Sequence, residues 1–334
     1  MTRSVRFAWP LALLGVSAVA SIVAALSIGS VAVAPQEVLS ALSGRSSAGT
    51  NDVVLALRLP RALTGFAVGG LLALSGALLQ ALLRNPLADP YVLGISGGAA
   101  VAALLALALG FGLAGVQLAA IGGALATMAL LFALARRALF SDQLMDSGRS
   151  GTVLLTGVML ASLAAASMSL ILSLAPDGRL RSMMFWLLGD LSAATDLAAA
   201  LVALPLLVVL LVLAASHGRA LNLVLRGDLQ AFSQGVRVAS TRRRLVLIAS
   251  VATAAAVSLA GPVGFVGFVA PHLVRMTLGN DQRLLLPAAT VLGGTLVVLA
   301  DTVARTAFAP LQLPVGVVTA LLGVPAFLWL LGRR

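Results

Sequence analysis

Lysine is absent from this 334-residue chain, so all 22 basic residues are arginine. A phosphate-binding loop of the form GxxxxGK[ST] cannot be written without lysine, which places any nucleotide hydrolysis on another chain. Cysteine is absent too, and with it disulfides, thiolate metal sites and thiol nucleophiles. The two histidines, His217 and His272, lie far apart. Neither the clustered ligands of a metalloprotease nor the base-and-acid pair of a serine enzyme is present, so no catalytic or metal-binding residue is assigned. Charged residues make up 10% of the chain and none of the apolar runs contains glutamate. The acidic relay a proton-coupled carrier would use is missing.

What the chain has is apolar sequence: 60% of its residues are hydrophobic and the mean hydropathy is +1.08. That is the composition of an integral membrane protein, a single all-α transmembrane domain over residues 1–334. Crossing the hydrocarbon takes about 20 apolar residues per helix. Ten such runs are expected, near Phe7–Val33, Pro60–Leu83, Val92–Leu109, Leu113–Ala135, Thr152–Leu174, Asp196–Ala215, Leu245–Ala260, Pro262–Leu278, Leu284–Arg305 and Pro314–Leu331.

The formal charge is +11. The arginines are spread over loops at membrane edges with no aromatic interleaving, which argues against nucleic-acid binding. Arg3 and Arg6 precede the first run and Arg333 and Arg334 follow the last, so the inward bias of arginine puts both termini in the cytoplasm and demands an even number of spans. The cytoplasmic loops then hold Arg84; Arg136, Arg137 and Arg149; Arg219 to Arg244; and Arg283. The first run also has the look of a secretory signal ending Ala32-Val33-Ala34, but it exceeds the roughly 7 to 15 residues of a signal core.

Several local features stand out. Gly261 to His272 reads GPVGFVGFVAPH, a backbone break that a membrane tolerates only where protein buries it or where it lines a passage. His272 in that segment reads as a structural, hydrogen-bonded histidine. Gly69, Ala73 and Ala77 form a small-residue stripe for close helix contact. Beyond them, RNPLADP ends a helix and sets Asp89 to cap the next turn. An echo of this arrangement, arginine, helix and Pro/Gly break, recurs from Arg242 to GPVG and enters from the opposite face, as an inverted repeat would. Asp301 and Arg305 stand at i,i+4 spacing as an ion pair.

Residues 216–244 form a long polar loop in which Leu225, Leu229 and Phe232 fall at i, i+4 and i+7 and Gly227 and Gly235 bracket a turn and helix, suiting a compact element packed against a soluble partner. Across the bilayer, residues 175–195 read as an interfacial helix carrying Leu180, Met183, Met184, Leu187 and Leu188. Arg58, Arg61 and Arg305 lie on that outer side against the inward bias, either as snorkelling residues or as a surface for an acidic protein.

The segments RLPRAL, LSGALLQALLRNPLADPYVLGISGGA, GPVGFVGFVAPH, LLLPAATVLGG, ADTVART and LPVGVVTALLGVPAFLWLL, in this order from about Arg58 to Leu331, resemble the FecCD/BtuC-type permeases of ABC importers. The resemblance implies a permease with ten helices, working as two copies in the bacterial inner membrane with two separate ATP-hydrolysing subunits, which carry ATP and magnesium, and a periplasmic binding protein. This chain itself would bear no cofactor and make or break no covalent bond. Gly227, Asp228, Leu229, Ala231, Phe232 and Gly235 match the family's ATPase-coupling element, with Arg226 and Gln234 standing where leucine is usual. Arg58, Arg61 and Arg305 match the arginines that dock the binding protein. Asn85 and Leu87, with Ser150 and Gly151, align with the cytoplasmic gate. The substrate implied is a bulky metal chelate, iron-bearing siderophore or haem first and cobalamin as the alternative; a secondary carrier and a non-transporting assembly protein are the rivals from other classes.

Overall fold

A computed structural model describes residues 5–29, 31–86, 88–136, 149–194 and 196–332. Among them the regular elements are helical, with no strand. The principal helices are α1 (Val5–Ser27), α2 (Pro35–Leu42), α3 (Leu59–Leu82), α4 (Ile95–Leu109), α5 (Leu113–Leu134), α6 (Arg149–Leu174) and α7 (Asp177–Leu187). They continue with α8 (Leu197–Ser216), α9 (Gly218–Arg226), α10 (Asp228–Ser233), α11 (Val238–Ala260), α12 (Val266–Leu278), α13 (Gln282–Thr306) and α14 (Val315–Gly332). Each of the ten expected spans coincides with one of these, and α7 with the expected interfacial helix. Seven are long and apolar enough to cross a membrane, and α4, α12 and the first part of α14 are shorter apolar helices.

α3 is the axis of the molecule. It is covered on every side, and 21 of its residues from Pro60 to Leu82 are buried, the mark of a helix surrounded by others. Its small residues set the distances. A methyl group on Gly69 would lie 2.2 Å from the Gly293 carbonyl oxygen of α13, and one on Gly76 only 1.7 Å from the Gly267 carbonyl oxygen of α12. The stripe expected from Gly69 therefore packs α13, and Gly76 extends it to α12. On a third side the Ser75 hydroxyl lies 2.9 Å from the Ala249 carbonyl and 2.8 Å from the Thr253 hydroxyl of α11.

α5, α6 and α8 instead expose large side chains, among them Leu118, Leu163 and Leu201. Such large apolar side chains suit lipid or another apolar surface, and the hydroxyls on α6 turn back onto its own carbonyls, as Ser162 does to Val158 at 2.9 Å and Ser169 to Ala165 at 3.0 Å.

The two Pro/Gly interruptions leave short helices. α12, with 13 residues, rises about 20 Å against a hydrocarbon layer of about 30 Å. The chain spans the difference with the irregular segment 261–265, in which Gly261 and, unusually for a side-chain-bearing residue, Phe265 take left-handed backbone angles of 64° and 67°. The expected break thus exists and is held inside protein. Val263 is fully buried, and the Tyr91 hydroxyl accepts from its N–H at 2.7 Å and donates to its carbonyl at 2.8 Å. Tyr91 sits in the one-turn helix Pro90–Leu93, whose start is capped by Asp89 accepting the Tyr91 N–H at 2.9 Å. The segment after α3 and the segment after α11, the two arms of the internal echo, therefore meet each other directly.

Gly189, Gly261 and Gly316 form a second junction. A methyl on each would stand 2.3 Å from the Pro262 carbonyl, 2.3 Å from the Trp186 carbonyl and 2.2 Å from the Leu188 carbonyl respectively. Asp190 N–H donates to Ala260 at 2.8 Å and Gly316 N–H to Gly189 at 3.2 Å. The end of α7, the break and the start of α14 are thus one backbone-to-backbone contact. Two hollows flank it, one of 450 Å3 bounded by Arg181, Trp186, Asp190 and Gly261, the other of 230 Å3 bounded by Phe265, Val269 and Gly323.

Candidate coupling and docking sites

The polar loop folds as two short helices at right of way to solvent. α9 is amphipathic and lays Leu221 and Val224 inward. It ends at Gly227, whose φ of 136° lies outside the range of other residues, and α10 follows. The two helices share a small core of Val224, Ala231 and Val238. Asn222 holds the pair to the start of α13: its amide donates to Asp281 at 2.8 Å and its oxygen accepts the Gln282 N–H at 2.9 Å. Asp281 also caps α13 and accepts from Arg283 at 2.8 Å; the Arg283 hydrogen bond is the main reason its carboxyl lies near 2, well below the usual range.

Leu229 and Phe232 remain 61% and 57% exposed at the tip of this element. The expected single stripe of Leu225, Leu229 and Phe232 does not survive as one face. Gly227 turns the chain between them, so Leu225 packs on the main core while the other two project away. Arg226 and Gln234, the departures from the family pattern, are both exposed, where a polar side chain costs nothing. Gly235 closes the element with a φ of 82°.

Asp228 anchors the pair sideways. Its carboxylate lies 2.5 Å from Arg84 Nη2 and 2.9 Å from Arg242 Nη2. Arg84 also donates to the Val224 carbonyl at 2.7 Å. Of the gate residues, Asn85 lies in the turn after α3, Ser150 and Gly151 open α6, and Leu87 falls outside the described residues. The turn reaches α6 at Gly94, where a methyl would come 3.0 Å from the Gly157 carbonyl.

On the opposite face the arginines have internal partners. Arg58 is 5% exposed and donates to the carbonyls of Leu26 at 2.6 Å, Ser27 at 3.1 Å and Val31. Arg179 does the same for the end of α4, at Leu107 and Ala108. A guanidinium at a helix C-terminus satisfies unpaired carbonyls and meets the negative end of the helix dipole. Arg61, 8% exposed, forks onto Asp301 and donates to Gln312 at 2.9 Å. Arg305 stands 3.2 Å from the same carboxylate and donates to the Ala25 carbonyl at 3.0 Å. Arg58, Arg61 and Arg305 were expected either as snorkelling residues or as a surface for an acidic protein; the fold buries Arg58 and Arg61 and half-buries Arg305, and sequence reasoning missed that Arg58 turns to the end of α1 and Arg61 to Asp301. Arg61 and Arg305 share the Asp301 carboxylate while Arg58 is held by backbone carbonyls, so the three arginines carry more positive charge than that carboxylate offsets. The i,i+4 pair of Asp301 and Arg305 is present as expected. His272 is 6% exposed and stacks on Phe268 with ring centroids 6.3 Å apart, a structural setting.

Comparison with known proteins agrees with this architecture. The chain is 43% identical over 289 residues to a cobalamin import system permease protein, BtuC, of Halobacterium salinarum, covering 84% of this chain and 74% of that one. It is 39% identical over 295 residues to the hemin transport system permease protein HmuU of Yersinia pestis, covering 85% and 86%. Its fold matches a solved structure described as an inward-facing conformation of a metal-chelate type ABC transporter, with a TM-score of 0.85, 30% identity, and coverage of 97% of this chain and 99% of that one. The model of the FecCD transport family matches residues 17–333. Among the described residues, ten apolar helices, two of them shortened by breaks that meet at Tyr91 and Val263, and a two-helix element exposed at one face are the form of a membrane-embedded transport permease, and the chain belongs to the FecCD transport family.

Proposed function

We propose that this chain is the translocation subunit of an ATP-driven importer, two copies of it forming the pathway in a bacterial inner membrane, with both termini and the α9–α10 element in the cytoplasm. The observation that carries this reading is the exposed pair Leu229 and Phe232 on an element otherwise anchored by Asp228, Asn222 and its own small core. Apolar tips held this firmly in water fit insertion into a partner. The partner is a separate ATP-hydrolysing subunit, because this sequence has no lysine for a phosphate loop.

A binding protein with acidic residues delivers the substrate to the other face, drawn by the surplus charge of Arg58, Arg61 and Arg305. The pathway runs along exposed small and hydroxyl-bearing residues of α6, including Ser162, Ala166 and Ser169, between the two copies. Such a lining offers a bulky ligand many weak contacts and no charge to trap it. The substrate is a metal chelate, haem or a ferric siderophore. Cobalamin is the second reading, favoured by the 43% identical relative that carries that name. ATP binding on the partners shifts the coupling elements, the helices around the pathway reseal in turn, and hydrolysis resets the cycle.

The test is uptake in proteoliposomes with the partner ATPase and binding protein, using haem, a ferric siderophore and cobalamin in parallel. Uptake requiring ATP and both partners supports the reading, and Leu229→Asp with Phe232→Asp should lose the ATPase on purification. Uptake driven by an ion gradient without the ATPase would overturn it.

A further inference from the structure

Arg84 occupies the position just past the end of α3 with a φ of 49°. The termination is of the Schellman type: Asn85 N–H donates to the Gln80 carbonyl at 3.1 Å and Arg84 N–H to that of Ala81 at 3.3 Å. Glycine is the residue this site favours, because a side chain in the left-handed region crowds its own backbone. An arginine in this position is held by what its guanidinium does, and it reaches across to α9 and α10, contacting the Val224 carbonyl at 2.7 Å and Asp228 at 2.5 Å. Arg242, at the start of α11, holds the same carboxylate at 2.9 Å.

We propose that Arg84, Asp228 and Arg242 form an ionic latch that makes the α9–α10 element, the turn after α3 and the base of α11 move as one body. This rests on the proposed function, since it assigns the route by which displacement of α10 reaches the turn carrying Asn85. Arg84 is a positioning residue. Without the latch, α10 is tied to α9 through Gly227 and the small core, and a push on Leu229 and Phe232 is absorbed by rotation about that glycine. The two helices beyond the latch are the ones that lead into the chain breaks: the turn after α3 leads to Tyr91, and α11 leads to Val263. A displacement shared by both therefore arrives at both sides of the Tyr91–Val263 contact.

The experiment compares Arg84→Gln and Arg84→Lys with the unaltered complex, assembled with its ATPase subunits and binding protein in proteoliposomes, reading substrate uptake and ATP hydrolysis together. The expected result for Arg84→Gln is retained ATPase subunits, hydrolysis within about twofold, and at least a fivefold loss of uptake per ATP; Arg84→Lys restores at least half of the coupling. Equal uptake per ATP in all three overturns the latch, as does a parallel loss of hydrolysis and uptake in Arg84→Gln, which marks a merely structural arginine. Should Arg84→Gln fail to fold, Asp228→Asn and Asp228→Glu decide through uptake per ATP alone: only the glutamate is expected to couple, and equal behaviour of the two overturns the proposal. If the unaltered complex needs no ATPase for uptake, the functional reading fails before the latch is at issue.

Discussion

Arg61 and Asp301, 240 positions apart, form a fork in which Nε lies 3.0 Å from both carboxylate oxygens and Nη2 2.8 Å from Oδ1. With side chains 10% and 4% exposed, the pair locks the start of α3 to the end of α13, and Arg305 adds α1 through the Ala25 carbonyl. Breaking such a pair by removing one partner leaves buried charge uncompensated, at a cost of about 3–5 kcal/mol. Asp301→Asn should therefore lower the thermal midpoint of the detergent-solubilised protein far more than Asp190→Asn, a half-buried carboxylate that accepts from Ser192, two residues away. Equal midpoints would show that the network does not hold the fold.

Gly76 is the tightest backbone approach in the molecule's centre. Placing a methyl 1.7 Å from a carbonyl oxygen forces α3 and α12 apart, and overpacking of this kind costs about 1–3 kcal/mol or more. Gly76→Ala is expected to be clearly destabilising. Gly122→Ala, on α5 with no neighbour within 4 Å, should be neutral or slightly stabilising, since alanine outranks glycine in a helix by about 0.5–1 kcal/mol. Thermal unfolding of the two variants side by side checks this.

Tyr91→Phe removes the hydroxyl that both accepts from and donates to Val263. The Val263 N–H and carbonyl then lose their partner inside protein, at a cost of about 1–3 kcal/mol. Because the contact joins the two chain breaks, amide hydrogen exchange at residues 263–266 should speed up while exchange in the middle of α3 stays slow. Unchanged exchange at the break would remove Tyr91 from its support.

Asp281 predicts an acid-side pH dependence. Its folded carboxyl titrates near 2 against an ordinary 3.8, so the folded state binds the proton less tightly than the unfolded chain. The stabilisation is fully present above about pH 4 and is lost as pH falls towards 2. Asp281→Asn should flatten that part of the pH–stability curve, measured as thermal midpoint from pH 2 to pH 5. An identical slope in the variant would place the acid sensitivity elsewhere.

Much of this protein was legible residue by residue. Hydropathy over 20-residue windows located the ten helices, since spanning a membrane is a demand on local composition. Gly261 and Pro262 announced the break, and Asp89 the cap of the turn at Pro90–Leu93, because these preferences belong to one or two dihedral angles. Gly227 and Gly235 bounded α10 for the same reason. What the i, i+4, i+7 spacing of Leu225, Leu229 and Phe232 did not show is that the turn at Gly227 parts Leu225, on the main core, from the exposed pair.

The sequence by itself determined the class of the protein, the number and order of its spans and the places where the backbone stops being helical, all governed by short-range chemistry. Only the tertiary structure decided the partners of Arg58 and Arg61, and that Arg61 joins the i,i+4 pair of Asp301 and Arg305. Arg58 and Arg61 looked alike as cations at a membrane edge, and a guanidinium donates to the carbonyls of a helix end or to a carboxylate with equal ease. The choice among a helix end, Asp301 and a free surface depends on which chain ends the fold brings together, and residues 240 apart carry no local sign of that meeting.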